Sequence, residues 1–224
     1  MLTPSSPLID TPNILAQVAD CRGQCPPSPQ VVQALLDSER AAKHPRPALP
    51  IDALLGQWRL RFTAPNKPAY KAKEPVGKGF YWPRLFPGTI TFSRATPPAE
   101  IASDGPMPAP PPSALPEPEE AQPQALQSDA LSIENQLQFG PLALRFSGPA
   151  KFFTKQNLLA FDFVQVQLFL GRFCLLKLPI KGQVGTENFA QTPIAKLPFF
   201  AFFAATDQYL AARGRGGGLA LWAK

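Results

Sequence analysis

Residues 54–63 read Leu-Leu-Gly-Gln-Trp-Arg-Leu-Arg-Phe-Thr, and no other stretch of the chain limits the fold as strongly. Strict alternation puts Trp58, Leu60 and Phe62 on one face and Gln57, Arg59 and Arg61 on the other, the period of a half-buried antiparallel strand. One face is aromatic and dry, and the other is basic and wet.

Gly56, two residues before Trp58, resembles the opening of lipocalin-type barrels, where the glycine lets the chain bend into the floor and the indole plugs it. Further alternations supply the remaining strands. Leu131, Ile133, Leu137 and Phe139 alternate with Ser132, Glu134, Gln136 and Gln138. After a turn at Gly140-Pro141, Leu142, Leu144 and Phe146 alternate with Ala143 and Arg145, giving a hairpin with one apolar face. Gly148-Pro149 is expected to break it. In residues 158–170, Phe161, Phe163 and Phe169 share a face with Gln165 and Gln167, while Val164, Val166, Leu168 and Leu170 share the other with Asp162. Such a strand either carries a bulge that swaps faces or is covered on both sides. Residues 89–93 and 173–180 read as shorter strands, the latter carrying Cys174 as an expected buried, inert thiol. Near the end, Gly214, Gly216, Gly217 and Gly218 permit a tight turn into a closing strand at 219–222.

Ahead of this β-rich region, Thr11-Pro12 and Ser28-Pro29 each read as a helix start. Ile14, Leu15 and Val18 follow the first, which ends near Gly23. Val31, Val32, Leu35 and Leu36 follow the second, which dies out before Pro45, and both stripes fit helices packed over one end of a core. Residues 94–128 are rich in Pro, Ala, Glu and Gln, too poor in apolar side chains to offset their ordering entropy, and read as a disordered or extended insert. The expected organisation is therefore a helical segment at 1–48 and a barrel domain at 49–224 interrupted at about 94–128. With 17 Phe against 3 Tyr and 3 Trp, the interior is greasy and asks for few hydrogen-bond partners.

The chain holds three cysteines and one histidine, His44. Cys21 and Cys25 lack a second ligand pair of metal-site spacing, so both read as ordinary thiols in a reducing compartment. The sequence has no Ser/His/Asp set, no paired carboxylates in one strand cluster and no phosphate-cradling glycine loop, which argues against an enzyme and against a bound cofactor. Asp162 and Asp207 are the acids nearest the expected interior. No leader peptide is visible at the N-terminus, and the most apolar stretch, 197–205, is about half of the roughly 20 residues of a membrane-spanning helix.

Residues 64–88 carry Lys67, Lys71, Lys73, Lys78 and Arg84 among Tyr70, Phe80, Tyr81, Trp82 and Phe86. A solvated loop with its aromatics tucked against the barrel mouth is one reading. Another is docking on an anionic lipid surface, with Lys71, Lys73, Lys78, Tyr81 and Trp82 as the contacts. Single-stranded nucleic acid ranks below lipid, because no other part of the chain resembles a nucleic-acid module. The formal charge of +6 helps either partner and decides neither.

Taken together, the two ends resemble the plastid lipid-associated proteins, also called fibrillins or plastoglobulins, of chloroplasts and cyanobacteria. Members open with Leu-x-Gly-x-Trp-Arg-Leu-x-Tyr/Phe-Thr, matched by Leu54, Gly56, Trp58, Arg59, Leu60, Phe62 and Thr63. They close with an Asp, Leu-Arg-Ile-x-Arg-Gly-x-x-Gly and an apolar strand, matched by Asp207, Arg213, Gly214, Gly217, Leu219 and Leu221, with Leu210 and Arg215 departing from the pattern. The resemblance implies an all-β, lipocalin-like antiparallel barrel with one or two N-terminal helices. It also implies that the protein binds a hydrophobic molecule such as a carotenoid, quinone or acyl lipid at a thylakoid or lipid-globule surface. The absence of a leader favours a cyanobacterial member. Phe146, Phe161, Phe163, Gln165 and Phe169 are the expected ligand lining, and Arg213 is expected to stack across the Trp58 indole at the barrel floor. A coat on membranes or lipid bodies, or a scaffold for an enzyme of isoprenoid or quinone synthesis, is the alternative.

Overall fold

The computed structural model describes residues 11–43, 47–72, 74–95, 129–180 and 189–224. The insert expected at 94–128 lies outside the described residues from Thr96 onward, as do Lys73, His44 and residues 181–188.

Helix α1 spans Thr11–Asp20 and α2 spans Ser28–Ala41. The second begins one residue earlier than a serine cap requires: Pro27 is the capping residue, and its carbonyl accepts from the Gln30 and Val31 amides. Leu15, Val18, Val31, Val32, Leu35 and Leu36 are buried, as their spacing requires. Between the helices, Cys21 and Cys25 are joined in a disulfide, with Cα atoms 5.5 Å apart. The expectation of two free thiols is therefore corrected. The link between the helices folds back on itself and brings two side chains four positions apart into bonding reach.

The strands are β1 (Gly56–Ala64), β2 (Ala69–Lys71), β3 (Glu74–Val76), β4 (Phe80–Tyr81), β5 (Gly88–Arg94), β6 (Asp129–Phe139), β7 (Leu142–Phe153), β8 (Leu158–Phe161), β9 (Gln165–Leu170), β10 (Phe173–Pro179), β11 (Phe199–Ala205), β12 (Tyr209–Gly214) and β13 (Leu219–Ala223). Strands β7, β6, β5, β1, β13, β12, β11 and β8 pair in that order, and β8 pairs back onto β7, closing an eight-stranded antiparallel barrel. The fold is all-β and lipocalin-like, with two N-terminal helices. Closure removes the open edges that an eight-stranded sheet would otherwise expose. Among the described residues no helix is long and apolar enough to cross a membrane.

Two irregularities decide which side chains face the lumen. In β1 the register against β13 slips between Leu60, opposite Trp222, and Phe62, opposite Leu221. Trp58 and Leu60 pack into the lumen, whereas Phe62 is buried beneath the helices. The alternation that placed all three together is thus broken by a bulge. The second lies between β8 and β9. Phe161 faces Ala150 and Gln165 faces Ser147, so three residues, 162–164, stand opposite two, 148–149. Of the two arrangements that the double-faced pattern of 158–170 left open, the bulge is the one present. Gly148-Pro149, by contrast, does not break β7, which runs on to Phe153. Gly148 fits the bulge instead, since a Cβ there would stand 1.8 Å from the Asp162 carbonyl oxygen.

The lumen packs Trp58, Ile90, Phe92, Leu131, Ile133, Phe152, Phe161, Phe202, Leu210 and Trp222 into one cluster. Leu49, Ile51, Leu54 and Leu55 close the floor against it. Buried Asn157 holds this segment: its Oδ1 accepts from the Leu49 amide at 2.9 Å and its Nδ2 donates to the Pro47 carbonyl at 2.8 Å. The opposite face of the wall, with Phe62, Tyr209, Ala211, Leu219 and Leu221, lies under α1 and α2.

Candidate functional site

Beyond the closed barrel, β9 and β10 extend the sheet from the first half of β7. Cross-strand partners share a face, so the register sorts this extension into two surfaces. One row joins Leu137, Leu144, Leu168 and Leu176, and the next joins Asn135, Phe146, Val166 and Leu178. At the tip, Phe139, Leu142, Leu170 and Phe173 are aligned. The opposite surface carries Gln136, Arg145, Gln167 and Lys177 in one row. The apolar rows continue the inner face of the barrel, because Leu131 and Ile133, on the same side of β6, are lumen residues.

Little covers this apolar face within the described residues. Phe173 is 67 % exposed and Leu175 55 %, while Leu142, Leu170, Leu176 and Leu178 are also exposed. A strand of Phe-Cys-Leu-Leu-Lys-Leu-Pro exposed along its whole length is an unusual edge for a water-soluble sheet. Cys174, expected to be buried, lies on it as an exposed free thiol, because its strand has neighbours on one side only.

A row of rings joins this open face to the deep lumen. Phe146 lies 5.9 Å from Phe163, Phe163 lies 5.1 Å from Phe161, Phe161 lies 5.1 Å from Phe200, and Phe200 lies 5.4 Å from Trp222. Phe161 and Trp222 are buried, while Phe146 and Phe163 are half-buried. Three of the five expected lining residues, Phe146, Phe161 and Phe163, therefore come together. The other two do not. Gln165 and Phe169 fall on the polar surface, where Phe169 lies 4.8 Å beneath the Arg145 guanidinium, because the 162–164 bulge reverses the facing of everything after it. Phe200 and Trp222 complete the row. Their signal lay in the aromatic stretch at 199–203 and in the closing strand, but single-strand periodicity cannot say which strands meet across a lumen.

The barrel-signature residues are split by the wall. Gly56 opens β1 with φ +110, a backbone region that excludes ordinary side chains, as the bend into the floor requires. The Trp58 indole donates to the Leu54 carbonyl at 2.8 Å, and the cation over its ring is Lys224, with Nζ at 5.2 Å. Arg213 does not reach it. It lies on the outer face, where Nε and Nη2 form a fork with both Glu39 carboxylate oxygens at 2.6 Å and Nη1 donates to the Gly217 carbonyl. The expected stack is corrected for that reason. Gly214 ends β12 at the turn into β13, with Gly218 accepting from its amide, and Asp207 is exposed between β11 and β12.

Lys71 and Lys78 are exposed, and Lys73 lies outside the described residues. Tyr81 and Trp82 are half-buried and already engaged. The Tyr81 ring meets Phe62 edge-on at 5.2 Å and its hydroxyl donates to the Pro26 carbonyl, while the Trp82 indole donates to the Phe86 carbonyl.

Arg59 and Arg61, the wet face of β1, line a cleft of about 330 Å³ together with Ala19, Asp20, Arg22, Arg84, Ala223 and Lys224. Arg61 and Arg84 both donate to the Cys21 carbonyl, and Arg59 donates to the Arg84 carbonyl at 3.4 Å. Burial, followed by the charges of Arg84 and Arg59, lowers the pKa of the Arg61 guanidinium. Among the described residues no cluster of His, Cys, Asp or Glu has the makings of a metal site. Compared with protein-family models, with curated proteins and with solved structures, the chain matches none.

Proposed function

We propose that this protein binds a hydrophobic small molecule or lipid, such as a carotenoid, quinone or acyl lipid, without catalysing a reaction on it. The observation that carries this reading is the inner face of the barrel running out, unbroken, onto an open apolar sheet. Exposed apolar surface of that extent is costly in water and is relieved by covering it with an apolar ligand or a lipid surface. The polar reverse of the same sheet, with Gln136, Arg145, Gln167 and Lys177, suits a surface that stays wet. A place at a thylakoid or lipid-globule surface, and kinship with the plastid lipid-associated proteins, rest on the motifs at 54–63 and 207–221.

The first test is purification from the native host without detergent, followed by solvent extraction and absorption and mass spectra of the extract. A stoichiometric pigment, quinone or lipid that is lost in a Leu168→Glu/Leu176→Glu variant supports the reading. A clean extract from protein that still pellets with lipid vesicles overturns it in favour of a coat or scaffold, whose contact with lipid would be the same exposed edge.

A further inference from the structure

The cleft beside the disulfide concentrates like charge with little internal compensation. Four guanidinium groups, Arg22, Arg59, Arg61 and Arg84, line it together with Lys224, and Asp20 is the one acidic side chain among them. The ion pairs among the described residues are Arg94 with Asp52, Arg145 with Glu134 and Arg213 with Glu39, and none of these reaches the cleft. Holding five cations around one small space costs Coulomb energy that water only partly screens. An anion placed among them turns that repulsion into attraction.

The site is held in shape. Arg61 and Arg84 converge on one acceptor, the Cys21 carbonyl, and the disulfide to Cys25 fixes that carbonyl at the end of α1. Each of these bonds uses one of the five N–H groups that a guanidinium carries. The planar fork pairs with tetrahedral oxyanions through two parallel hydrogen bonds, which a lysine cluster does not do.

We infer that this arginine cleft is a binding site for a phosphate- or sulfonate-type oxyanion, supplied either as a free phosphate compound or as the headgroup of an anionic lipid. The neighbouring loop gives the lipid source its structural basis. Arg84 is followed by Leu85, 81 % exposed, and by Phe86, whose ring lies 5.2 Å from Phe139 on the apolar sheet extension. A headgroup among the arginines would leave its acyl chains beside exposed apolar side chains. The inference does not depend on what the barrel holds.

The test uses the whole chain and two probes. Inorganic pyrophosphate is titrated calorimetrically, and sedimentation compares phosphatidylglycerol-containing vesicles with pure phosphatidylcholine vesicles. Arg59→Gln/Arg84→Gln is expected to weaken pyrophosphate binding about tenfold or more, the worth of one charged hydrogen-bonded pair. Lys155→Gln/Lys196→Gln removes the same charge at exposed positions outside the cleft and is expected to change it by less than about twofold. Phosphatidylglycerol binding that follows the same pattern and is displaced by pyrophosphate identifies a lipid headgroup as the source. Vesicle binding indifferent to the arginine changes, alongside pyrophosphate binding that is sensitive to them, identifies a free phosphate. If Arg59→Gln/Arg84→Gln loses its native circular dichroism, exposed Arg22→Gln is read in its place. Equal weakening by both variant pairs, or no pyrophosphate binding at all, overturns the inference.

Discussion

Trp58 and Phe62 stand four residues apart on one strand, both with no solvent exposure, on opposite sides of the barrel wall. The bulge between Leu60 and Phe62 makes this possible. Trp58 holds the lumen and floor, whereas Phe62 holds the helices. Each truncation to alanine should cost about 3–5 kcal/mol, the range for a buried aromatic. The two losses should nevertheless differ in place. In Phe62→Ala, amide exchange should accelerate first in α1 and α2, and in Trp58→Ala throughout the barrel. Identical exchange patterns would mean that helices and barrel open as one unit.

Gly148 makes the bulge between β8 and β9 sterically possible. A methyl group there would sit 1.8 Å from backbone, which no rotamer change can relieve. Gly148→Ala should therefore cost more than about 3 kcal/mol by urea unfolding, beyond the usual range for overpacking, because main chain rather than side chain must move. Ser147→Ala, one residue earlier and opposite Gln165 on the polar surface, should stay within about 0.5 kcal/mol.

The helices and the long alternating strands were legible in the sequence because burial follows local periods of roughly three and a half and of two residues, as in Val31 to Leu36 and Leu131 to Phe139. The short β2, β3 and β4 and the apolar β11 and β12 carry no such alternation and were not legible as strands. Facing was legible only between bulges. Periodicity carried Phe62 to the side of Trp58 and Phe169 to the side of Phe161, and in each case one extra residue reversed it. The basic face of β1 was visible in Arg59 and Arg61. Arg22 and Arg84 join it only because the α1–α2 link and the β4–β5 loop fold over the same strand, and no local pattern encodes that. The Cys21–Cys25 bond was hidden for a similar reason: two thiols four residues apart read alike whether the intervening backbone is straight or folded back.

Thiol chemistry separates the three cysteines. Cys174 is exposed on β10, while Cys21 and Cys25 are bonded to each other. Iodoacetamide should add one label per native chain and three after reduction and unfolding, read by mass spectrometry. Replacing both Cys21 and Cys25 by serine should destabilise the chain by about 2 kcal/mol, the chain-entropy value for so short a loop. Three labels on the native protein would show that the pair is not formed.

Alkaline pH should release the helices before the barrel. The Tyr70 hydroxyl donates to Asp37 on α2 at 2.6 Å, and the Tyr81 hydroxyl donates to the Pro26 carbonyl, just before α2, at 2.7 Å. Burial, then the hydrogen bond and charge of Asp37, push Tyr70 from 10.0 up to about 12, with Arg40 opposing. Burial, opposed by Arg61, pushes Tyr81 up to about 12 as well. A phenol raised in this way keeps its proton in the folded chain while the unfolded chain loses it. Its contribution is thus fully present below pH 10 and is lost as the pH rises through about 12. Urea midpoints should fall across that window, helical amides should exchange first, and phenolate absorbance should lag behind that of free tyrosine. Tyr70→Phe/Tyr81→Phe should be less stable below pH 10, because two hydrogen bonds are gone, yet lose less stability above it. An equally steep fall in the double variant would place the alkaline transition elsewhere in the fold.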